Sequence, residues 1–231
     1  IPWKGYFDLI ASVDEFILYD EVQFTKNDWR NRNRIKTARG VEWLSIPVGQ
    51  DIRRSISEVQ LSDPSWQEKH WRTLVTNYAK ARHFHAIAAL LEPIYLHQRH
   101  CRLSELNRCL IETICRYLRI HTRITDSAEY PLEPPCVGDD GKSSRLLSLC
   151  SQVHACRYVS GPSASSYLDV PAFTRRGIEV AWFDYEGYPE YPQRWGGFEH
   201  AVSILDLLFN CGPSAPDYML FHRPPIAAYL P

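Results

Sequence analysis

The chain has 231 residues, with 26 basic and 27 acidic side chains, so its formal net charge is −1. A hydrophobic fraction of 45% and a charged fraction of 23% are ordinary for a globular protein that buries a core. The pI of about 6.8 lacks the domain-wide basic bias typical of proteins that bind nucleic acid. No apolar run is long enough for a membrane span, and no signal segment opens the chain.

The first third of the chain predicts a helix, a strand and a β-hairpin. Residues 3–12 place Trp3, Phe7 and Ile10 on one helical stripe. Residues 13–24 contain an unbroken apolar run, which is typical of a buried strand. Residues 32–48 then read as two strands joined at Gly40, a residue suited to a tight turn.

The middle of the chain, at about 60–125, predicts helices. Asp63 and Pro64 are typical of a helix start, with Asp63 as the N-cap. Residues 83–98 and 103–119 continue as helices, and in the second of these leucines recur at helical spacing.

After a Pro-rich loop at 130–142, which we expect to be mobile, helices and strands alternate again. The pattern predicts helices and strands at residues 143–154 (helix), 156–161 (strand), 163–177 (helix, broken at Pro171), 178–185 (strand) and 198–212 (helix stopped by Gly212). The tail 213–231 reads as irregular. The whole pattern predicts a single domain of the α/β class, with a parallel or mixed sheet flanked by helices, a helical middle section and a β-hairpin.

Seven cysteines occur without a CxxC pair, which favours reduced thiols and a cytoplasmic location over a disulfide framework. Cys150, His154 and Cys156 match no common zinc spacing, so we expect neither a structural metal nor a disulfide. The sequence identifies no cofactor.

A basic segment within the hairpin is the strongest candidate for a site. Residues 26–39 hold six basic side chains against the single acid Asp28. On a strand, Arg32 and Arg34 share one face, whereas Asn31 and Asn33 share the other and need hydrogen-bond partners. Repeated arginine favours bidentate binding of carboxylate or phosphate, and a small anion such as a nucleotide diphosphate fits better than a polynucleotide. A solvated hairpin face is the alternative.

Two later segments are weaker candidates. Ser160 and Gly161 end a strand before a helix, where open α/β sheets bind ligands, although a plain turn accounts for the same residues. The second segment, residues 188–198, has two Tyr-Pro steps and adjacent glycines. In such a rigid aromatic loop, Tyr191 or Trp195 is a candidate for stacking on a sugar or base. Asp206 and Asn210 follow one helical turn apart, and as a buried polar pair they would need hydrogen-bond partners; the alternative is a solvent-facing pair.

For the chemistry, Asp20 and Glu21 leave the carboxyl end of the first strand, where catalytic carboxylates often lie. We expect Arg32 and Arg34, with Asn31 or Asn33, to line a concave site that contains Asp20 or Glu21. His70 is the histidine of greatest interest among nine, with a structural role as its alternative.

Several motifs together resemble the WbqC-like protein family. They are IPWKGYFDLI, VDEFILYDEVQFTKNDWRNRNRI, WLSIPV, YVSGPSASSYLD and FEHAVSILDLLFNCG. In that family a Gln-Pro pair precedes the equivalent of Ile1, so we expect the natural chain to extend before it. Carried onto this chain, the motif residues are Asp20, Gln23, Lys26, Trp29, Asn31, Arg32, Asn33, Arg34, Ser160, Gly161, Tyr167, Asp169, Tyr191, Gln193, Ser203, Asp206 and Asn210.

The resemblance implies a bacterial protein encoded among genes for O-antigen and other surface polysaccharides. It suggests acyl or aminoacyl transfer to a nucleotide-linked amino sugar, from an acyl donor that can be bound to a carrier protein. Nucleic acid is not an expected partner. The alternative is a non-catalytic protein that docks a carrier protein or nucleic acid through the basic hairpin.

Overall fold

The computed structural model describes residues 1–27, 29–131 and 142–221. Its α-helices are α1 (Lys4–Ala11), α2 (Trp66–Tyr78), α3 (Phe84–Glu92), α4 (Leu103–Tyr117), α5 (Lys142–Gln152), α6 (Val170–Arg175) and α7 (Ile204–Cys211). Its strands are β1 (Glu15–Leu18), β2 (Arg32–Thr37), β3 (Gly40–Ser45), β4 (Arg123–Asp126), β5 (Arg157–Ser160) and β6 (Glu179–Trp182). The predicted α/β class is confirmed.

The strands pair two by two among the described residues, whereas the sequence suggested one sheet. β1 and β4 are parallel, with Leu18 opposite Asp126, and β5 and β6 are parallel as well. The hairpin and the helical section lie in the crossover between β1 and β4. As a result, Asp20 and Asp126 leave the same edge of that pair, because the carboxyl ends of parallel strands point the same way.

The predicted hairpin is confirmed, and β2 and β3 pair antiparallel with Thr37 opposite Gly40. Gly40 has a φ of +110°, which a residue with a Cβ adopts only with strain. The register then places Trp43 opposite Arg34. Arg32, Arg34 and Trp43 therefore lie on one face, as side-chain alternation requires.

The helical middle section is also confirmed, and it forms most of the main core. Leu74, Ile87, Leu91 and Leu103, from α2, α3 and α4, have no exposed surface. The α7 helix joins them through Phe209, whose ring stacks on Tyr78 at a centroid distance of 4.7 Å. A smaller second core lies between α5, α6 and the β5–β6 pair, and it is formed by Cys150, Leu168, Phe173 and Ile178.

Several predicted boundaries were wrong because tertiary partners determine them. The first strand ends at Leu18, since β4 offers only four partners and Phe24 instead donates its N–H to the Arg54 carbonyl. The α2 helix begins at Trp66, and the Asp63 carboxylate accepts hydrogen bonds from Ser65.

Pro171 was predicted to break a helix, but it lies in the first turn of α6, where its missing N–H costs nothing. The α7 helix starts at Ile204, six residues later than predicted, with Ser203 as its N-cap. Residues Gly212–Tyr218 of the predicted irregular tail form a 3-10 helix.

The greater part of the predicted mobile loop at 130–142, and the tail from residue 222 onward, lie outside the described residues. Within the described ranges, no helix combines the length and apolar character that crossing a membrane requires. The six cysteines in these ranges are free thiols. Nor do three His, Cys, Asp or Glu side chains of the described part gather as metal ligands.

Candidate functional site

Some of the predicted site residues lie with other side chains in three groups, which we call the Asp20 cluster, the hairpin outer face and the Asp206 network. The Asp20 cluster comprises Tyr6, Asp20, Trp29, Arg30, Asp126 and Tyr185. The hairpin outer face comprises Arg32, Arg34 and Trp43. The Asp206 network comprises Lys36, Tyr78, Tyr191, Gln193, Asp206 and Asn210.

The Asp20 carboxyl is the most perturbed acid of the first group. Its pKa is raised to about 6, mainly by burial and also by the nearby Asp126 carboxylate, while the Arg30 guanidinium opposes both effects. The backbone around it is held by two hydrogen bonds, from the Asp20 N–H to Leu18 and from the Ser57 N–H to Asp20. A carboxylate with such a pKa is a stronger base than an ordinary aspartate.

Aromatic rings line the surroundings of Asp20. The Tyr6 ring lies 5.0 Å from that of Trp29, and the Arg30 guanidinium lies 4.9 Å from the Trp29 ring. Burial raises the pKa of the Tyr6 phenol, and the negative charge of Asp20 adds to this effect. Trp29 remains 46% exposed, so this aromatic surface is open to a ligand.

The Ser160–Gly161 turn approaches the same cluster through Tyr185. A Cβ on Gly161 would lie 3.5 Å from the Tyr185 hydroxyl, and Tyr185 is one of the groups whose charge acts on Tyr6. Tyr185 is therefore the residue that connects the turn at the carboxyl end of β5 with the Asp20 cluster. Tyr167, beyond that turn, is 47% exposed.

The hairpin separates its arginines from its asparagines, as strand alternation predicts. The Arg32 and Arg34 guanidinium groups lie 4.2 Å and 5.8 Å from the exposed Trp43 ring. On the opposite face, the Asn31 amide donates to the Ile46 carbonyl and the Asn33 amide donates to the Ile1 carbonyl. The asparagines thus find backbone partners inside the protein.

A small cavity lies beneath the inner face of the hairpin. Its volume of about 20 Å³ is sufficient for about one water molecule. Among the residues that line it are Asn31, Arg32, Asn33 and His70, but not Arg34, Asp20 or Glu21. The expectation that the two arginines share one concave site with Asp20 or Glu21 therefore finds no support in this cavity.

His70 is held by its Nε2–H, which donates to the Ser45 carbonyl at 3.0 Å. Burial lowers its pKa to about 4, so the ring is neutral and Nδ1 can accept a proton or a hydrogen bond. His70 lines the cavity beneath the hairpin. It is not among the groups that shift the pKa of Asp20.

Glu21, Gln23 and Lys26 lie in the segment between β1 and β2. Glu21 has a buried Oε2 without a hydrogen-bond partner among the described residues. The Gln23 amide donates to the Ile52 carbonyl, and Lys26 donates to the Gln50 side chain. The last two residues thus attach this segment to residues 50–52.

The Asp206 network is buried. Asp206 has no exposed surface, and its carboxylate accepts hydrogen bonds from Tyr78 at 2.7 Å, Tyr191 at 2.9 Å and Gln193 at 2.8 Å. The idea of a solvent-facing Asp206–Asn210 pair is therefore wrong. Tyr191 is only 6% exposed and has no free ring face comparable to that of Trp29 or Trp43.

This network anchors the hairpin. The Lys36 N–H donates to the Tyr78 hydroxyl at 3.2 Å, and the Ser203 N–H donates to the Arg34 carbonyl at 2.8 Å. The Lys36 ammonium is buried and donates to the Gly197 carbonyl. The sequence reasoning missed Lys36 and Tyr78, as well as Tyr6, Asp126, Tyr185 and Trp43 of the other two groups. Counting the register from Gly40 would have placed Trp43 opposite Arg34.

An open cleft of about 340 Å³ lies near the amino end of β4, lined in part by Cys115, Arg116, Arg119 and His121. It contains none of the predicted site residues.

Comparison with known proteins finds a relative that is similar over nearly the whole chain. Over 225 residues the chain is 54% identical to the uncharacterized protein Rv1507c of Mycobacterium tuberculosis (strain ATCC 25618 / H37Rv), with 96% of this chain and 95% of the relative covered. No solved structure is significantly similar to the present chain. The WbqC-like protein family matches residues 1–218, which is nearly the whole chain. The protein therefore belongs to the WbqC-like protein family.

Proposed function

We propose that the protein transfers an acyl or aminoacyl group to the amine of a nucleotide-linked amino sugar, in bacterial surface-polysaccharide biosynthesis. The observation that carries the proposal is the Asp20 carboxyl, a base of raised pKa in an aromatic setting. Arg30 lies beside it, and the Ser160–Gly161 turn approaches through Tyr185.

In the proposed reaction, Asp20 accepts a proton from the sugar ammonium, which frees the nitrogen lone pair. The nitrogen attacks the carbonyl carbon of a thioester or acyl phosphate, so that a C–N bond forms. The bond from that carbon to sulfur or oxygen then breaks. The second amine proton passes to the leaving group or to solvent. Backbone N–H groups of the Ser160–Gly161 turn are the proposed donors to the developing oxyanion.

The aromatic groups and Arg30 supply binding in this proposal. Tyr6 and Trp29 form a surface on which the apolar face of a sugar ring can lie, and Arg30 attracts the phosphate. The free thiols are compatible with the reducing cytoplasm, where we place the reaction. We leave Tyr191, Gln193 and Asp206 out of direct substrate contact, because their polar groups are used within the protein.

A protein that only docks a partner through the hairpin is the second candidate. It is favoured by the position of Arg32 and Arg34, which lie beside exposed Trp43 and do not line the Asp20 cluster. A docking protein needs no carboxylate of raised pKa, so chemistry at Asp20 distinguishes the two candidates.

The test is incubation of the full chain with nucleotide-linked amino sugars and a panel of acyl and aminoacyl thioesters and phosphates, followed by mass spectrometry. We expect a mass gain on the sugar, and Asp20→Asn should slow its appearance by about 100-fold or more. Asp14→Asn is the matched control, because Asp14 is exposed at the other end of β1. Absence of product with every donor, including carrier-bound donors, would support the docking protein.

A further inference from the structure

We propose that the hairpin outer face binds the nucleotide part of the substrate, with the Trp43 indole stacked on the base and Arg32 bound to a phosphate. This rests on the proposed function, since it assigns a place to the nucleotide of the nucleotide-linked sugar. It assigns base stacking to Trp43, whereas the sequence had suggested Tyr191 or Trp195.

Trp43 offers the flat apolar surface that a base requires. Its side chain is 53% exposed, although it lies at the centre of β3 and is held in register opposite Arg34. A paired strand fixes the backbone of Trp43, so the indole is available at little cost in conformational freedom. Single exposed apolar residues are common on proteins, so exposure alone does not identify a site.

The second observation is Arg32, which lacks the partners that other arginines of the hairpin have. Arg39 pairs with Glu42 at 3.1 Å, and Arg34 lies 4.0 Å from Glu199. No carboxylate in the described ranges pairs with Arg32, and its Nε is buried without an acceptor there. No acid in those ranges balances the positive charge of the guanidinium, and the terminal nitrogens of its planar fork suit a phosphate.

The two observations coincide in space, because the Arg32 guanidinium lies 4.2 Å from the Trp43 ring. An aromatic plane beside a cationic fork matches a nucleotide, which presents a planar base and an anionic phosphate. Two residues earlier in the chain, the positive charge of Arg30 lowers the pKa of Asp20. In this proposal the base lies on Trp43, the phosphate on Arg32, and the amino sugar at Asp20.

The test uses free uridine, thymidine and guanosine diphosphates as probes of the full chain, measured by calorimetry and tryptophan fluorescence. We expect binding of at least one diphosphate. Trp43→Ala should weaken it by roughly tenfold or more, since stacking on one aromatic side chain has this magnitude. Trp43→Phe, which keeps a flat ring, should retain most of the affinity.

Arg32→Gln should weaken diphosphate binding, and Arg32→Lys should restore only part of it because the fork is lost. Arg39→Gln is the matched control: it removes one positive charge from the same hairpin, at a position that is 86% exposed and paired with Glu42. It should leave the affinity unchanged. Thermal unfolding of each variant separates loss of binding from loss of folding.

The inference is overturned if no diphosphate binds, or if Trp43→Ala and Arg32→Gln bind as the natural protein does. It is also overturned if a single-stranded oligonucleotide binds more tightly than the diphosphate with the same base. Diphosphate binding without acyl transfer would leave this inference standing and remove the proposed reaction. Acyl transfer by Trp43→Ala with an unchanged KM for the nucleotide-linked sugar would overturn this inference and leave the proposed reaction standing.

Discussion

Replacement of Tyr78 by Phe tests whether the Asp206 network holds the fold. The Tyr78 hydroxyl donates to Asp206 Oδ2 at 2.7 Å and accepts the Lys36 N–H at 3.2 Å. A hydrogen bond to a charged group contributes about 1.5–3 kcal/mol and a neutral one about 0.5–1.5 kcal/mol. We therefore expect Tyr78→Phe to lower the free energy of unfolding by about 2–4 kcal/mol.

Tyr191→Phe should cost less, because the other oxygen of the same carboxylate has more donors. Asp206 Oδ1 accepts hydrogen bonds from Gln193 at 2.8 Å and Asn210 at 3.3 Å in addition to Tyr191. Removing the Tyr191 hydroxyl leaves both of these in place, so a loss of about 1 kcal/mol is expected. The two variants remove the same atom from the same residue type, so the difference between their free energies of unfolding reports on the hydrogen-bond partners of the two hydroxyls.

The assay is urea unfolding followed by fluorescence and circular dichroism, with the slope on denaturant checked for constancy. Tyr117→Phe is the control, because the Tyr117 hydroxyl is buried without a partner in the described part of the chain. Its removal should be neutral or slightly stabilising. Equal losses for Tyr78→Phe and Tyr191→Phe, or a loss below about 1 kcal/mol for Tyr78→Phe, would refute a structural role for the network.

Three further outcomes are expected. The Asp20 carboxyl should titrate by carbon NMR near pH 6, and an ordinary aspartate value would remove it as a base. Because the pKa of His70 is lowered to about 4 in the fold, His70 should reduce stability as the pH drops from about 6.5 towards 4. The raised pKa of Asp20 acts with the opposite sign in the same range, so the effect of His70 should be measured as the difference in unfolding free energy between the natural protein and His70→Gln. Gly212→Ala should destabilise by about 2 kcal/mol or more, because φ is +52° with ψ at −123° and a Cβ would collide with the His83 ring, whereas Gly197→Ala, with open space around it, should not.

The sequence predicted the elements whose signals are local. Helix α4 follows from its leucine spacing, and the hairpin follows from Gly40 and the alternation around it. The length of β1 did not follow, because it depends on pairing with β4, more than 100 residues away. Local pattern carries no information on where such a partner ends.

The same distinction applies to the candidate site. Alternation correctly separated Arg32 from Asn31 and Asn33, since that depends only on the strand. The proximity of Asp20 to Asp126 depends on the long crossover between β1 and β4, which local sequence does not reveal. Asp206 is an intermediate case, because its apolar neighbours in ILDLLF indicate burial but do not identify its hydrogen-bond partners.

Most of the basic side chains of the hairpin have partners within the protein, which explains why a nearly neutral protein has so many of them in one segment. These partners also limit the size of the anion that the hairpin can bind. The Lys36 ammonium is used within the core, Lys26 binds Gln50, and Arg34 and Arg39 have acidic neighbours. Arg30 acts on Asp20. A polynucleotide needs several cations free to neutralise successive phosphates, and its affinity then falls steeply with salt. Since Arg32 is the hairpin arginine for which the described residues supply no acidic partner, the hairpin is matched to a small anionic ligand, and a weak salt dependence of diphosphate binding is the expected consequence.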